Sequence, residues 1–368
     1  MRESSQPVFS VLPPAQLEAR HLAAWQEFLQ ADPSLASPLF SPEYALTLSS
    51  VVSQVSIGVV ELQGVPVAFL PFERDSAGVG QRLHLCDYQG LIARPGMLMD
   101  VRSMIRGFGL DAWDFDHLLA EQSCFASFHR GASASPIMNL SAGYEAYVLE
   151  RRAAGTETVK KTGNLTRRLE REMGPLRFEV HVPDPQILHQ LLLWRASKYQ
   201  DSRHPFELLE NILRKFLAQQ SPRCRGTLSV LYAGDAVVAC HFGLRSRQTW
   251  HYWFPAYNPE FEKYSPGNIL LLKIAELAAT TGILTIDLGK GEQDYKKRLM
   301  NGAIPIAEGS VQISSLLSLR RSLKQGARAL LQRAPGLVSL TRRLLRSGGP
   351  GGKRTPCALD VRVKSPPL

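Results

Sequence analysis

The stretch FEKYSPGNILLLKIAELAATTG sets Tyr264, Ser265, Pro266, Gly267 and Asn268 directly in front of an apolar run with helical spacing. A proline at the first helical position fixes the chain's entry without wasting a donor, and a glycine beside it allows close approach to the backbone. The exposed N–H groups and the positive end of the helix dipole then favour an anion. A proline-started helix with no ligand would carry the same residues, so the stretch alone leaves both readings open. A second constellation follows in IDLGKGEQDYKKR, where Asp287 ends an apolar run and Gly289, Gly291, Tyr295 and Lys296 come after it. Asp287 is either a partly buried carboxylate with a raised pKa, able to act as a base, or a loop cap, or a partner for Lys296. The two glycines suggest a tight turn at a strand end, where open sheets receive ligands. Lys296, with Lys297 and Arg298, reads either as a solvated basic face or as a contact to phosphate or an acidic group.

The elements that must position these residues are legible from residue 185 onward. Two runs with helical spacing, DPQILHQLLLWRASKYQ and FELLENILRKFLAQQ, precede three strand-like runs, GTLSVLYAG, AVVACHFGLRS and TWHYWFPAY. A helix over Asn268 to Thr281, a capping Gly282, the strand ILTIDLG, a polar helix or turn and a last extended run complete the order. This succession is α+β, with mixed, mostly antiparallel strands and one helix crossing between two of them. His241, Tyr252 and Tyr257 fall on the strands that would flank a cleft at that crossing. A lone strand histidine is more often a hydrogen-bonded core residue than a base. The first half echoes the second: VSIGVVELQGVPVAFLPFERD, then VGQRLHLCDYQG, gives strand, turn, strand, turn and a strand ending at Tyr88.

Composition narrows the function classes. The 368 residues are 44% hydrophobic and 21% charged, ordinary for a globular chain of two domain-sized units. No apolar run is long enough to span a bilayer, and Pro7, Pro13 and Pro14 break the N-terminus, so a cytoplasmic protein is expected. Five scattered cysteines contain no CxxC pair, and His181, His189, His204 and His251 show no ligand spacing, so no metal is expected. Cys240, in apolar surroundings, is a poor nucleophile. The net charge of +10 is localised: residues 316–368 hold twelve Lys or Arg and one acid, Asp360, and the body is close to neutral. DNA is therefore not an expected partner. The 316–346 segment has the spacing of a basic amphipathic helix, which either packs on the body or lies on anionic membrane; the chain after it reads as disordered.

Taken together, AYNPEFEKYSPGNILLLKIAELAATTGILTIDLGKGEQDYKKRL resembles the C-terminal signature of the BioF2-like, or CelD-type, acetyltransferases of the GNAT superfamily, relatives of the FemAB peptidyltransferases. TVKKTGNLTRRLEREMG resembles the basic helix that opens the family's catalytic domain, and LFSPEYALTL and CDYQGLI resemble its N-terminal domain. The similarity spans about residues 38 to 314 and leaves the tail outside. It implies tandem GNAT-like domains: a degenerate one over 1–145, a catalytic one over 146–315, then the tail at 316–368. It also implies an acyl-coenzyme A cosubstrate, with no tightly bound cofactor. The pyrophosphate would sit on Tyr264 to Asn268, and Tyr252, Gly289, Gly291, Tyr295 and Lys296 would contact substrate or phosphate. His241, Tyr257 and Asp287 are the catalytic candidates, and N–H groups near Phe254 to Tyr257 could polarise the thioester. The acceptor implied is a small molecule, a sugar or a polysaccharide precursor. A FemAB-like transferase using aminoacyl-tRNA, kept open by Lys160, Lys161, Arg167 and Arg168, and a non-catalytic phosphate binder of exopolysaccharide synthesis are the alternatives.

Overall fold

The structure is a computed structural model, and it describes residues 6–198 and 205–313. The basic 316–346 segment and the chain after it lie outside the described residues, as does the question of what that segment packs on. The described residues group as one compact unit.

The first half runs β1 (Val8–Leu12), α1 (Ala19–Ala31), α2 (Pro42–Ser49), β2 (Val55–Leu62), β3 (Val65–Arg74), β4 (Val79–Gln81), β5 (Ile92–Ala93), α3 (Val101–Gly107), β6 (Ala112–Leu119) and β7 (His129–Asn139). Two helices follow, α4 (Tyr144–Ala153) and α5 (Thr158–Met173). The second half runs β8 (Leu176–Val180), α6 (Pro185–Lys198), α7 (Phe206–Ala218), β9 (Arg225–Ala233), β10 (Ala236–Arg245) and β11 (Thr249–Tyr257). It closes with α8 (Pro266–Thr280), β12 (Thr285–Asp287), α9 (Asp294–Leu299) and β13 (Gly302–Gln312). The elements read from residue 185 onward agree with the sequence pattern. The expected strand ending at Tyr88 does not form: β4 stops at Gln81, and Tyr88 sits in irregular backbone that includes Leu85 at φ 58°. Arg82 and Glu73 explain the break, since Arg82 Nη1 donates to the Cys86 carbonyl and the Glu73 carboxylate takes the His84 N–H.

Among the described residues thirteen strands form one sheet, ordered β1-β2-β3-β4-β6-β13-β7-β12-β11-β10-β9-β8, with β5 added against β3. The two halves mirror each other across its centre. β4 and β6 are parallel, as are β11 and β12, and the other pairs are antiparallel. The last strand of each half is exchanged: β7 pairs with β12, and β13 pairs with β6. The boundary expected at 145 to 146 falls in the first turn of α4.

One sheet face packs α6 and α7 against Phe242, Trp253 and Phe254, in a core that also holds Tyr44, Tyr88 and Phe216. The other packs α4, α5 and α8 against Trp250, Tyr252 and Ile286. α8 is apolar on most of its surface, with eight buried residues from Pro266 to Ala278, because the sheet and α5 cover it.

Candidate active site at the fork of two strands

β11 and β12 pair over only three residues: Thr249 with Thr285, Trp250 with Ile286, and His251 with Asp287. Beyond His251, β11 continues to Tyr257 paired only with β10, so the two parallel strands part at the His251–Asp287 step. The irregularity of β11 lies at Tyr252 and Trp253, just before the Phe254 to Tyr257 stretch, which stays paired with β10. Phe242 faces Phe254 and Leu244 faces His251, so two residues of β11, Tyr252 and Trp253, stand opposite Gly243 alone. Such a bulge bends the strand and re-aims its side chains at the fork.

Four buried groups meet the Asp287 carboxylate at the apex. Tyr88 Oη donates to Asp287 Oδ2 at 2.5 Å, Ser135 Oγ donates to Asp287 Oδ1 at 2.7 Å, and the Gly289 N–H reaches the same Oδ1 at 2.8 Å. His251 Nδ1 lies 3.6 Å from Asp287 Oδ2, an ion pair rather than a hydrogen bond, while its Nε2 bonds Asp87 Oδ2 at 2.9 Å. His251 and Asp287 are fully buried, and Asp87 keeps 28% of its side chain accessible.

Burial alone would lower the His251 pKa; the flanking Asp287 and Asp87 carboxylates outweigh it and raise it to about 9. Of the readings the sequence left open for Asp287, the loop cap is seen in its bond from the Gly289 N–H, and the raised pKa is not. Burial works to raise its pKa, but the His251 imidazolium, the Tyr88 hydroxyl and the Gly289 N–H hold it below the usual carboxylate value. Tyr88 is pushed well above an ordinary phenol, first by burial and then by the neighbouring Asp287 charge. The apex therefore holds an ionised carboxylate and a protonated phenol in direct contact.

The DLGKG turn closes over this network. Gly289 has φ +71°, and a Cβ there would stand 3.3 Å from Asp87 Oδ2, so both conformation and space call for glycine. Lys296, 6% exposed, donates to the carbonyls of Gly289 at 2.9 Å and Lys290 at 3.1 Å. Burial lowers its pKa against the pull of Asp87 and Asp287. It thus staples the turn rather than standing on a solvated basic face. Gly291 shares the turn, and Tyr295 packs from α9 against the α8-side core.

The helix start forms a second cluster. Ser265 takes a left-handed conformation, φ 52° and ψ 53°, and its side chain makes no capping bond, while Pro266 occupies the first turn. No acidic residue lies in that turn. A Cβ on Gly267 would meet only Tyr257 Cδ1, at 3.7 Å, so the folded chain leaves room above this glycine. Tyr257 Oη donates to Glu262 at 2.8 Å, and the buried Tyr264 donates to Glu172, whose carboxyl is pulled down to about 2 by Arg168 and by Tyr264. Asn268 N–H bonds back to the Ser265 carbonyl at 3.0 Å.

His241 and Tyr252 belong to neither cluster. They stack with ring centroids 4.1 Å apart, and His241 is fully buried with neither ring nitrogen hydrogen-bonded. Burial and the His251 charge hold its pKa well below 6.5, so it is a neutral core imidazole. Cys240 is equally buried, its thiol pushed up to about 12. Among the described residues no group of side chains could hold a metal ion, and no helix is long and apolar enough to cross a membrane.

A cleft of about 230 Å³ opens onto the apex, with Tyr88 and Asp287 among its walls. A larger concavity of about 360 Å³ beside α8 is walled by Phe178, Leu231 and Leu277 together with the Lys273–Glu276 ion pair, and neither Tyr88 nor Asp287 lines it.

Comparisons with known proteins bear on the fold. Residues 157–297 match the family model for the acetyltransferase (GNAT) domain. The fold is similar to that of FemX, at 9% identity over 85% of this chain and 99% of that one, with a TM-score of 0.55. It is also similar to the C-terminal domain of a putative lysylphosphatidylglycerol synthetase from Agrobacterium fabrum, at 12% identity over 84% and 96%, TM-score 0.51. A tandem GNAT protein from the clavulanic acid biosynthesis pathway matches at 11% identity over 84% and 99%, TM-score 0.50. No curated protein matches the sequence. The fold is thus GNAT-like, with a mixed sheet flanked by helices, and residues 157–297 within it are the stretch that matches the acetyltransferase (GNAT) domain model.

Proposed function

We propose that this protein is an acyltransferase that uses acyl-coenzyme A as cosubstrate and passes the acyl group directly to an amine or hydroxyl, in the manner of the BioF2-like and CelD-type enzymes it resembles. The observation that carries the reading is the fork of β11 and β12 at His251 and Asp287, with an ionised carboxylate and a protonated phenol bonded at its apex. The thioester would lie in the fork, and the pyrophosphate would rest on the first turn of α8, where Gly267 leaves the backbone accessible.

Transfer forms a bond from the acceptor nitrogen or oxygen to the acyl carbon and breaks the carbon–sulfur bond. One proton leaves the nucleophile and one must reach the departing thiolate. An ionised carboxylate beside a protonated phenol can accept the one proton and give the other. Asp287 takes the first proton and Tyr88 gives the second. The hydrogen bond between them then returns the Asp287 proton to the tyrosinate and resets the pair. His251 keeps Asp287 ionised between turnovers. In this reading N–H groups of β11 beyond the bulge would polarise the thioester carbonyl.

A sugar or polysaccharide precursor as acceptor rests on the resemblance. The test is thiol release from acetyl-coenzyme A in the presence of amino and hydroxy acceptors, for the wild type, Tyr88→Phe and Asp287→Asn. Release by the wild type that collapses in both variants supports the reading. Release that persists in both removes the apex from the chemistry. No release with any acyl chain length would turn attention to aminoacyl-tRNA as donor.

A further inference from the structure

We propose that the cleft at the apex is the acceptor site and that it takes a small polyhydroxylated amine free of anionic groups, an assignment that rests on the acyltransferase reading above. Position comes first. The cleft reaches Tyr88 and Asp287, the acid and the base, and Asp287 is the last residue of β12 before the strands part. A nucleophile seated there meets the fork at the point where a thioester carbon would stand.

Both halves of the chain build the walls. The segment before α2 gives Ser34 and Ser37, the strand starts of β11 and β12 give Thr249 and Thr285, and the turn after β6 gives Glu121. A hydroxyl both donates and accepts, so this lining matches a ligand whose own groups are hydroxyls. Ile137, Leu119 and Pro305 add apolar patches of the kind that pack against ring carbons.

Charge narrows the class further. Among the described residues the ionisable side chains on the wall, apart from the Tyr88 phenol, are the carboxylates of Glu121 and Asp287, with no Lys, Arg or His. A phosphate or carboxylate entering it would lose its hydration against like charge, whereas an ammonium group would be drawn in. The volume, about 230 Å³, is below that of typical drug-sized pockets and suits a ligand of one ring. The cations near the fork stand behind the wall or apart from it. The His251 imidazolium pairs Asp287 from outside the lining, which leaves Glu121 as the uncompensated charge on the wall. Lys296 is bonded into the DLGKG turn, and Arg195 of α6 stands over the Phe254 ring at 4.8 Å.

The experiment measures acceptor binding without turnover. Glucosamine and glucosamine 6-phosphate are titrated by saturation-transfer NMR against the wild type, Ala303→Trp and Glu121→Lys. Ala303 and Glu121 are exposed on the cleft wall, so both variants should keep the wild-type melting temperature. The expected result is glucosamine binding at least about tenfold tighter than its 6-phosphate, weakened about tenfold or more by Ala303→Trp. Glu121→Lys should narrow or reverse the preference for the unphosphorylated probe. Equal binding of the two probes, no binding of either, or binding indifferent to Ala303→Trp would overturn the assignment. A parallel titration with acetyl-coenzyme A separates the two claims. Loss of cosubstrate binding by the wild type would refute the acyltransferase reading while the glucosamine result still judges the cleft.

Discussion

Tyr88 and Asp287 are separated by 199 positions in the chain and by 2.5 Å in the fold. The first comes from the half of the molecule that lacks the YSPGN helix start, the second from the half that carries it. The apex of the fork is therefore complete only when both halves are in place. The exchange of β7 and β13 between the halves is what fixes their relation, since β7 brings Ser135 to the same carboxylate.

Replacing Tyr88 by Phe removes the proton donor and one of the four contacts that hold Asp287. The turnover rate should fall by a factor of about 10² to 10⁴, the range for a lost general acid. The dissociation constant for acyl-coenzyme A, read by calorimetry, should stay near the wild-type value. Equal losses in binding and turnover would assign Tyr88 to cosubstrate binding instead.

His251 ties stability to pH. Its folded pKa is raised from 6.5 to about 9, so its contribution is fully present below 6.5 and is lost as the pH climbs through about 9. Asp287 and Asp87 have lowered values, so their contribution is present above the ordinary carboxylate pKa and disappears on acidification below it. Melting temperatures of the wild type and His251→Gln should therefore differ most near pH 6 and converge toward alkaline pH. A difference that does not change with pH would mean that His251 is neutral in the fold.

Gly289→Ala should destabilise the protein by about 1–2 kcal/mol through its left-handed backbone. The new methyl group also crowds Asp87 Oδ2, at 3.3 Å, and should loosen its bond to His251. The checks are chemical denaturation for the first effect and the pH dependence of melting for the second. Gly282→Ala, which has φ +78° but open space around its Cβ, is the control for backbone strain alone.

The sequence disclosed α8, β9 to β12 and the DLGKG turn because each has a local cause: helical spacing, β-branched and aromatic runs, or glycine and proline punctuation. It disclosed the Asp287 position but not its state, because its pKa is lowered by His251 and Tyr88, which come from other segments. His251 was visible only as a histidine among aromatics in TWHYW. Its role follows from the parallel register that sets it beside Asp287, and a strand's register is set by its partners. Asp87 and Tyr88 were harder still. They lie in irregular backbone shaped by Glu73 and Arg82, where no period exists to read. A useful signal was present all the same: an Asp-Tyr pair after a broken strand in one half, and a carboxylate ending a strand in the other.

The most direct test of the account is calorimetric titration of acetyl-coenzyme A into the wild type and Gly267→Trp. Gly267 has room for a side chain in the fold, so the variant should melt at the wild-type temperature. The account predicts binding by the wild type that is weakened at least about tenfold in Gly267→Trp, because the indole covers the first turn of α8 where the pyrophosphate would rest. Binding of equal strength in both proteins, or no binding by the wild type, would contradict it.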